Sequence, residues 1–284
     1  MELIKNIEKM KAVSHRARQE GKTIALVPTM GALHEGHLTL MDYARARADW
    51  VVVSIFVNPI QFGPKEDFER YPRDLETDLL LSEKRGVDIV FAPHPREMYP
   101  EDFQTQVTVE KVTRPLCGAF RPGHFPGVTT VVLKLFNIVN PHLAVFGQKD
   151  YQQWVVIRQM VRDLNLDIEV AGVPTVREKD GLAMSSRNVY LSPEERDSAL
   201  SLFKALNQAR TLFRRGERRA SALLKKVRET IASHPGTRIE YAQICDPLTL
   251  EEITQIHDRA LLALAVWVGS TRLIDNCILE EIQS

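Results

Sequence analysis

Several features that define large classes of protein are missing from this sequence of 284 residues. No apolar run approaches the ~20 residues that a membrane-spanning helix needs, and the longest candidate, residues 260–268, has the length of a strand. The first residues contain no apolar stretch of signal-peptide length. The three cysteines (Cys117, Cys245 and Cys277) are far apart and form no CxxC pair. We therefore expect a cytoplasmic protein with reduced thiols and no membrane partner.

An excess of positive charge is also lacking, because 37 Lys and Arg residues are balanced by 37 Asp and Glu residues. Proteins that hold nucleic acid through its phosphates normally carry a basic excess. We therefore expect small molecules rather than nucleic acid as partners. Hydrophobic residues make up 44% of the chain, which is ordinary for a packed globular protein. The length suffices for one large domain or two smaller ones.

Apolar runs of strand length alternate with helical segments through the first half of the chain. The pattern predicts strands over 23–27, 51–57, 87–92, 143–146 and 168–173. It predicts helices over 4–20, 38–48, 75–85, 128–139 and 152–164. Near-continuous apolar strands that alternate with helices indicate a parallel sheet covered on both faces. Residues 105–109 alternate in polarity and predict one further small strand.

The pattern changes after about residue 176. Ser192 and Glu195 form a capping box, with Pro193 at the first helical position, before a long helix with one apolar stripe. A second helix over 219–233 and strands over 239–245, 260–268 and 271–276 follow. We predict an α/β fold: a Rossmann-like parallel sheet with helices on both faces in residues 1–176, and a smaller α+β C-terminal domain in residues 177–284.

The most informative segment joins the strand at 23–27 to the next helix and carries His34 and His37. In a parallel sheet this turn lies at the carboxyl end of a strand, where ligands bind, and the helix N-terminus offers N–H groups to a phosphate. Two imidazoles there can donate hydrogen bonds to a phosphoryl group as its charge builds. Helix capping alone is the alternative. A zinc site lacks a third ligand at a recognisable spacing.

Five further segments accompany this histidine motif (residues 30–37) in order along most of the chain, at 54–62, 71–73, 121–125, 146–153 and 184–188. Together they resemble the pantoate–β-alanine ligase family of the HIGH-type nucleotidyltransferase superfamily. Gln148 stands where members of that family usually carry Glu. The resemblance implies an ATP-dependent ligase that condenses pantoate with β-alanine through a pantoyl adenylate and releases AMP and pyrophosphate. It also implies a homodimer.

The resemblance implies which residues act on ATP. The expected catalytic residues are His34, His37, Lys149, Ser185, Ser186 and Arg187. The expected ATP-binding residues are Met30, His37, Gly147, Lys149, Asp150, Val176, Met184, Ser185, Ser186 and Arg187. An ammonium and a guanidinium suit phosphate oxygens, although a solvated Lys–Asp pair and a polar hinge loop are the plain alternatives. Mg²⁺ accompanies ATP, and Asp78 matches the family's magnesium-associated acid.

The resemblance also implies a pantoate site. Gln61 and Gln153 are expected to hold the polar end of pantoate, because an amide both donates and accepts hydrogen bonds. The side chains expected to wall its methyl groups are Met30, Phe62, Val131 and Val132. The loop at 121–125 is expected to border the substrate cavity. The C-terminal domain is expected to act as a lid that carries Arg187.

Three other functions stay open from the residues alone. An adenylyltransferase shares the histidine motif but makes no AMP in response to β-alanine. A class I aminoacyl-tRNA synthetase is disfavoured by the short, neutral chain. A non-catalytic nucleotide-binding module would bind ATP without turnover.

Overall fold

The computed structural model describes residues 1–64 and 66–281, which form two compact units. Unit 1 comprises Met1–Glu110, Arg121–Gln148 and Gln153–Pro174 of the described chain. Unit 2 comprises Lys111–Phe120, Lys149–Gln152 and the described residues from Thr175 onward. The predicted division at residue 176 remains a prediction, and it did not foresee that two short segments of the first part pack with the C-terminal part.

Unit 1 is built on a six-stranded sheet with the order β1-β4-β3-β2-β5-β6, in which every neighbouring pair is parallel. The strands are β1 (Glu2–Ile4), β2 (Ile24–Thr29), β3 (Trp50–Ile55), β4 (Ile89–Phe91), β5 (Leu143–Gly147) and β6 (Glu169–Val173). The chain runs from β2 to β3 and β4 on one side and later adds β5 and β6 on the other. The carboxyl ends of β2 and β5 therefore flank the point where the strand order reverses, which is where such sheets bind ligands.

Helices cover both faces of this sheet. The helices of this unit are α1 (Ile7–Gln19), α2 (Glu35–Arg45), α3 (Leu75–Lys84), α4 (Pro95–Met98), α6 (His124–Val139) and most of α7 (Tyr151–Asp163), whereas the short α5 (Cys117–Phe120) belongs to unit 2. Successive strand residues alternate between two cores. Ile24 and Leu26 share one core with α1 and α6, and Ala25 and Val27 share the other with α2. Burial on both faces explains the continuous apolar runs in the sequence.

Unit 2 combines a three-stranded antiparallel sheet, in the order β7-β8-β9, with two long helices. Its elements are α8 (Pro193–Arg214), α9 (Ala220–Ala232), β7 (Thr237–Cys245), β8 (Arg259–Val268) and β9 (Thr271–Glu280). The predicted capping box is confirmed, since Ser192 Oγ accepts from the Glu195 N–H (3.2 Å) and Glu195 accepts from the Ser192 N–H (3.0 Å). The predicted fold class is confirmed in both of its parts.

Two local predictions in unit 1 were wrong. Residues 105–109 form no strand, because side chains of α6 replace a neighbouring strand: Val107 N–H donates to Thr130 Oγ1 (3.0 Å), and Thr129 Oγ1 donates to the Val107 carbonyl (2.6 Å). The first helix begins at Ile7, because Asn6 caps it by accepting from the Lys9 N–H (2.9 Å), and the residues before it pair with β4.

Within the described chain, none of the helices combines the length and the apolar character that crossing a membrane demands.

Candidate active site

A sharp turn follows β2 and sets the direction of α2. Gly31 and Ala32 both have positive φ angles, 81° and 50°. Asp78 holds this backbone, because its carboxylate accepts hydrogen bonds from the Ala32 N–H (3.0 Å) and the Leu33 N–H (2.7 Å). A Cβ at Gly31 would lie 2.8 Å from Asp78 Oδ2, so this approach requires glycine. A buried carboxylate thus fixes the backbone that leads to the two histidines.

The role of Asp78 that the structure shows is to hold the backbone of this turn. Its side chain is 2% exposed, and burial raises the pKa of Asp78 although the two N–H bonds act in the opposite direction. Among residues 1–64 and 66–281, no group of three or more His, Cys, Asp or Glu side chains is placed to hold a metal ion. The magnesium role of Asp78 stays a prediction, and its observed partners are backbone N–H groups.

The two histidines cap the start of α2 reciprocally. His34 Nδ1 accepts from the Gly36 N–H (3.1 Å), and His37 Nδ1 accepts from the His34 N–H (3.3 Å). The ring centroids are 4.1 Å apart. An imidazole nitrogen that accepts an N–H bond carries no proton, so the proton of the neutral ring sits on Nε2. Each ring can therefore cap the helix through Nδ1 and still offer an Nε2–H donor to a ligand.

The predicted pantoate residues Met30 and Gln61 are in contact. Gln61 ends a 3₁₀ turn (Pro59–Gln61) after β3, and its Nε2 lies 3.2 Å from Met30 Sδ. Phe62 follows and packs edge-on against Tyr71, with ring centroids 6.1 Å apart. The predicted apolar wall residues Val131 and Val132 lie in α6 and are buried.

The adjacent residues Gln152 and Gln153 lie in different surroundings. Gln152 is 7% exposed, and its Nε2 donates to the Val112 carbonyl (3.0 Å) and the Pro115 carbonyl (2.8 Å), while its oxygen accepts from the Cys117 N–H (3.0 Å). These bonds hold the segment 111–120 within unit 2. Gln153, the predicted pantoate residue, is half-buried in the first turn of α7.

The loop at 121–125 is tied down by charge. The Arg121 guanidinium makes two hydrogen bonds of 2.6 Å to the Glu66 carboxylate and lies 3.1 Å from His124 Nε2. His124 Nδ1 lies 3.0 Å from the Gln61 carbonyl. Burial acts to raise the pKa of Glu66, but the hydrogen bond and charge of Arg121 outweigh it and lower that pKa. These side chains therefore do not belong to a solvated surface loop, because Arg121 is bonded to Glu66 and His124 contacts the Gln61 carbonyl.

Unit 2 holds the lysine predicted to bind phosphate. Lys149 and Asp150 follow Gly147 in a 3₁₀ turn (Gln148–Asp150), and the Lys149 ammonium lies 3.4 Å from the Asp150 carboxylate. The Lys149 carbonyl accepts a hydrogen bond from Asn276 Nδ2 on β9 (2.9 Å). The C-terminal strand therefore fixes the backbone that carries this ammonium.

The same strand anchors the hairpin before the Ser–Ser–Arg loop. Asp275 on β9 accepts two hydrogen bonds from the Arg177 guanidinium, of 2.7 and 2.9 Å. At the base of that hairpin the Met184 N–H donates to the Val176 carbonyl (3.0 Å), so these two predicted ATP residues lie opposite each other. Neighbouring positions of β9 thus hold both the hairpin and the Lys149 backbone.

The loop at 185–188 is closed by its own side chains. Ser185 Oγ accepts from the Arg187 N–H (3.3 Å) and begins a 3₁₀ turn (Ser186–Tyr190). The Asn188 amide donates to the Glu178 carboxylate (2.7 Å) and to the Ala183 carbonyl (3.1 Å). The loop is therefore fixed to the hairpin before it.

The predicted site residues are divided between the two units. Unit 1 contains Met30, His34, His37, Gln61, Phe62, Asp78, Val131, Val132, Gly147 and Gln153. Unit 2 contains Lys149, Asp150, Val176, Met184, Ser185, Ser186 and Arg187. Sequence reasoning missed four residues that support predicted ones: Asn58 bonds to Gln61, Tyr99 bonds to Asn58, Asn276 bonds to the Lys149 carbonyl, and Asp275 bonds to Arg177 in the hairpin before the Ser–Ser–Arg loop. Asn58 could have been found, because it lies in the segment 54–62 that resembles the family. The other three lie outside all such segments, and no nearby sequence pattern marks them.

Known proteins resemble the chain over its full length. A family model described as pantoate-beta-alanine ligase matches residues 2–278. A pantothenate synthetase of Geobacter sulfurreducens is 59% identical over 283 residues, covering 100% of both chains. One from Thermoanaerobacter pseudethanolicus is 58% identical over 275 residues, covering 97% of each.

Solved structures agree with these relatives. Pantothenate synthetase from Thermus thermophilus superimposes with a TM-score of 0.95 at 47% identity, covering 99% of this chain and 100% of that one. Pantoate-beta-alanine ligase from Francisella tularensis, complexed with beta-gamma ATP and beta-alanine, matches with a TM-score of 0.81 at 33% identity over 100% of both chains.

A histidine pair at the strand–turn–helix junction of a parallel sheet, together with these relatives, defines a member of the HIGH-type nucleotidyltransferase superfamily. Within that superfamily, the chain belongs to the pantoate–beta-alanine ligase family. It is an ATP-dependent ligase that condenses pantoate with β-alanine to pantothenate through a pantoyl adenylate, with release of AMP and pyrophosphate. The adenylyltransferase, tRNA synthetase and non-catalytic alternatives are thereby set aside.

Proposed function

We propose that the predicted catalytic residues carry the reaction by stabilising the charge that develops on ATP. The observation that supports this most is the fixed tautomer of the histidine pair, because the caps leave His34 and His37 with Nε2–H donors at the carboxyl end of β2. Charge develops on the α-phosphate when it is attacked, and donors set in advance stabilise that charge. Lys149, the two serine hydroxyls (Ser185 and Ser186) and Arg187 would bind the phosphates that depart.

The first step needs no nucleophile from the protein. The pantoate carboxylate attacks the α-phosphorus of ATP, a new oxygen–phosphorus bond forms, and the bond to pyrophosphate breaks. The β-alanine amine then attacks the acyl carbon of the adenylate, which forms the amide, and AMP leaves with the bond electrons. The amine loses a proton in the same step. The contribution of the protein is positioning and electrostatic stabilisation.

Unit 1 supplies the proposed pantoate site. Gln61 and Gln153 would hold the hydroxyl and carboxylate groups, and the apolar side chains near them would face the gem-dimethyl group. Support comes from the contact of Gln61 with Met30, which follows β2 directly. The adenylate has to be kept from water, because its hydrolysis wastes ATP.

Magnesium, the homodimer and the compartment belong to the same proposal. Mg²⁺ enters with ATP as part of the substrate and is held chiefly by phosphate oxygens and water, the usual mode for this ion. Asp78 is the proposed protein carboxylate near it. The three cysteines, all within the described chain, form no disulfide, and burial raises the pKa of Cys245 and Cys277 to about 12, which suits the reducing cytoplasm. The oligomeric state is tested by light scattering of the purified chain.

The experiment follows pyrophosphate and AMP release with ATP, Mg²⁺ and pantoate, with and without β-alanine. We expect a pantoate-dependent burst of pyrophosphate in both cases, and AMP release only when β-alanine is present. His37→Ala and Lys149→Ala should lower the rate of adenylate formation by about 10²–10³-fold, or about 3–4 kcal/mol, and remain folded. His15→Ala, on the exposed face of α1, is the control. Rates within about threefold of wild type in the two variants would refute the assignment.

A further inference from the structure

A chain of hydrogen bonds lies behind Gln61 in unit 1. The Tyr99 hydroxyl donates to Asn58 Oδ1 (2.8 Å), and Asn58 Nδ2 donates both to Gln61 Oε1 (2.9 Å) and to the Gly127 carbonyl (3.1 Å). Asn58 is 1% exposed and Gln61 is 9% exposed. Both polar atoms of the Asn58 side chain therefore have partners inside the protein.

The Gly127 carbonyl sets the direction of every bond in this chain. A carbonyl oxygen only accepts, so Asn58 must turn its NH₂ toward Gly127 and its oxygen toward Tyr99. The same NH₂ faces Gln61, whose nearer atom must then be its oxygen. The NH₂ of Gln61 is consequently turned away from Asn58, toward Met30.

Close backbone packing keeps Gly127 in this position. A Cβ at Gly127 would lie 2.5 Å from the Ile60 carbonyl oxygen and 2.7 Å from Gln61 Cα. Only glycine lets α6 approach the turn that carries Gln61 so closely. The carbonyl that orients Asn58 and the backbone of Gln61 therefore form one rigid assembly.

The far end of the chain of bonds is equally fixed. The Tyr99 ring has centroid distances of 6.1 Å to Phe56 and 5.0 Å to Phe103, and the Lys134 ammonium lies 5.7 Å from the centroid of the Tyr99 ring. Burial raises the pKa of Tyr99 above that of an ordinary phenol. The hydroxyl therefore keeps its proton and acts as a donor toward Asn58.

We propose that Tyr99 is a positioning residue for pantoate, which acts through Asn58 to hold Gln61 with its NH₂ as the end offered to the substrate. This inference rests on the proposed role of Gln61 in pantoate binding. A donor suits pantoate, because the carboxylate of pantoate only accepts hydrogen bonds. An amide free to turn would present its own oxygen to that carboxylate for part of the time, and binding would weaken.

The test variant is Tyr99→Phe, which keeps the ring and removes only the hydroxyl. Pantoate-dependent pyrophosphate release should show a pantoate KM raised about three- to tenfold, the effect of one lost hydrogen bond, while the ATP KM changes less than about twofold. Tyr43→Phe is the matched control: it removes a hydroxyl that accepts from Arg47 Nη1 (2.7 Å) on the surface of the same unit. Its pantoate KM should equal that of wild type.

A double-mutant cycle then separates the relay from the site. If Tyr99 acts through Gln61, adding Tyr99→Phe to Gln61→Ala should change the pantoate KM by less than about twofold further. The same factor in both backgrounds, or an unchanged pantoate KM in Tyr99→Phe alone, would overturn the relay. An unchanged pantoate KM in Gln61→Ala itself would overturn the proposed pantoate site, and the relay with it.

A second variant covers the case in which Tyr99→Phe does not fold. Asn58→Ala removes the NH₂ that holds Gln61 Oε1, so the Gln61 amide is free to turn and presents its oxygen to the substrate for part of the time. The pantoate KM should then rise about three- to tenfold with a smaller change in the ATP KM. A wild-type pantoate KM in this variant would refute the relay.

Discussion

Each histidine at the turn after β2 has an observed structural role and a proposed catalytic one. The Nδ1 atoms of His34 and His37 cap α2, and this use determines that the Nε2 atoms carry the protons. The sequence predicts the pair well, because an N-cap and the third helical position are always three residues apart. It predicts the role of Asp78 poorly, since this carboxylate meets the Leu33 N–H across 45 residues.

The two uses of His37 can be separated by substitution. His37→Asn places an amide oxygen near the position of Nδ1 and keeps the cap, but it has no donor at the position of Nε2. We expect adenylate formation to fall by about 10²–10³-fold. The free energy of unfolding should change by less than about 1 kcal/mol. Single-turnover kinetics and urea unfolding measure the two effects.

His37→Gln is the complementary variant. Its longer side chain carries an NH₂ to the region of Nε2 and lacks an acceptor at the position of Nδ1. We expect a smaller loss of rate than in His37→Asn and a loss of about 1 kcal/mol of stability. Equal rates in the two variants would show that the Nε2 donor has no special part in the reaction.

Among the elements, the inner parallel strands were the easiest to predict, the short edge strand β1 was missed, and β9 was the hardest to delimit. Strands buried on both faces are apolar throughout and stand out in the sequence. The predicted end of β9 was residue 276, but the strand runs to Glu280. In the sequence, the charged residue Asp275 suggests that the strand ends there. Its side chain is nevertheless only 3% exposed, because it pairs with Arg177. No local sequence pattern reveals such a distant partner.

The same strand offers a test of how Lys149 is held. Asn276→Ala removes the hydrogen bond from β9 to the Lys149 carbonyl. We expect adenylate formation to slow about three- to tenfold, because the ammonium loses a fixed backbone, and stability to fall by about 1 kcal/mol. The pantoate KM should stay within about twofold of wild type.

The control for this variant is Asn207→Ala, the same substitution in α8 of the same unit, which should leave the rate unchanged. A destabilised Asn276→Ala with wild-type kinetics would mean that the bond serves stability alone. Thermal unfolding and single-turnover kinetics on both variants decide between the two.

For the molecule as a whole, the sequence indicates a change of pattern near residue 176 and misses the two short segments that pack with unit 2. Gln152 ties these two segments to each other, since it bonds to Val112, Pro115 and Cys117 across 40, 37 and 35 residues. Asn276 bonds to the Lys149 carbonyl and Tyr241 packs against Phe120, which joins both segments to the C-terminal strands. Nothing local distinguishes Gln152 from Gln153, the adjacent residue with the same side chain. Contacts of this range follow from the assembled fold and not from any periodicity.

Hydrogen exchange on the intact chain tests which of the predicted ATP-binding segments respond to the nucleotide. With a non-hydrolysable ATP analogue and pantoate, exchange should slow in peptides covering 30–38 of unit 1 and 184–190 of unit 2, with the same dependence on analogue concentration. A ligand at a hundredfold excess over its Kd stabilises the bound state by about 2.7 kcal/mol, enough to slow both segments measurably. A peptide from α9 serves as the reference. Protection of the first segment alone would remove Ser185, Ser186 and Arg187 from the ATP-binding residues, because one ligand that contacts both segments has to protect both.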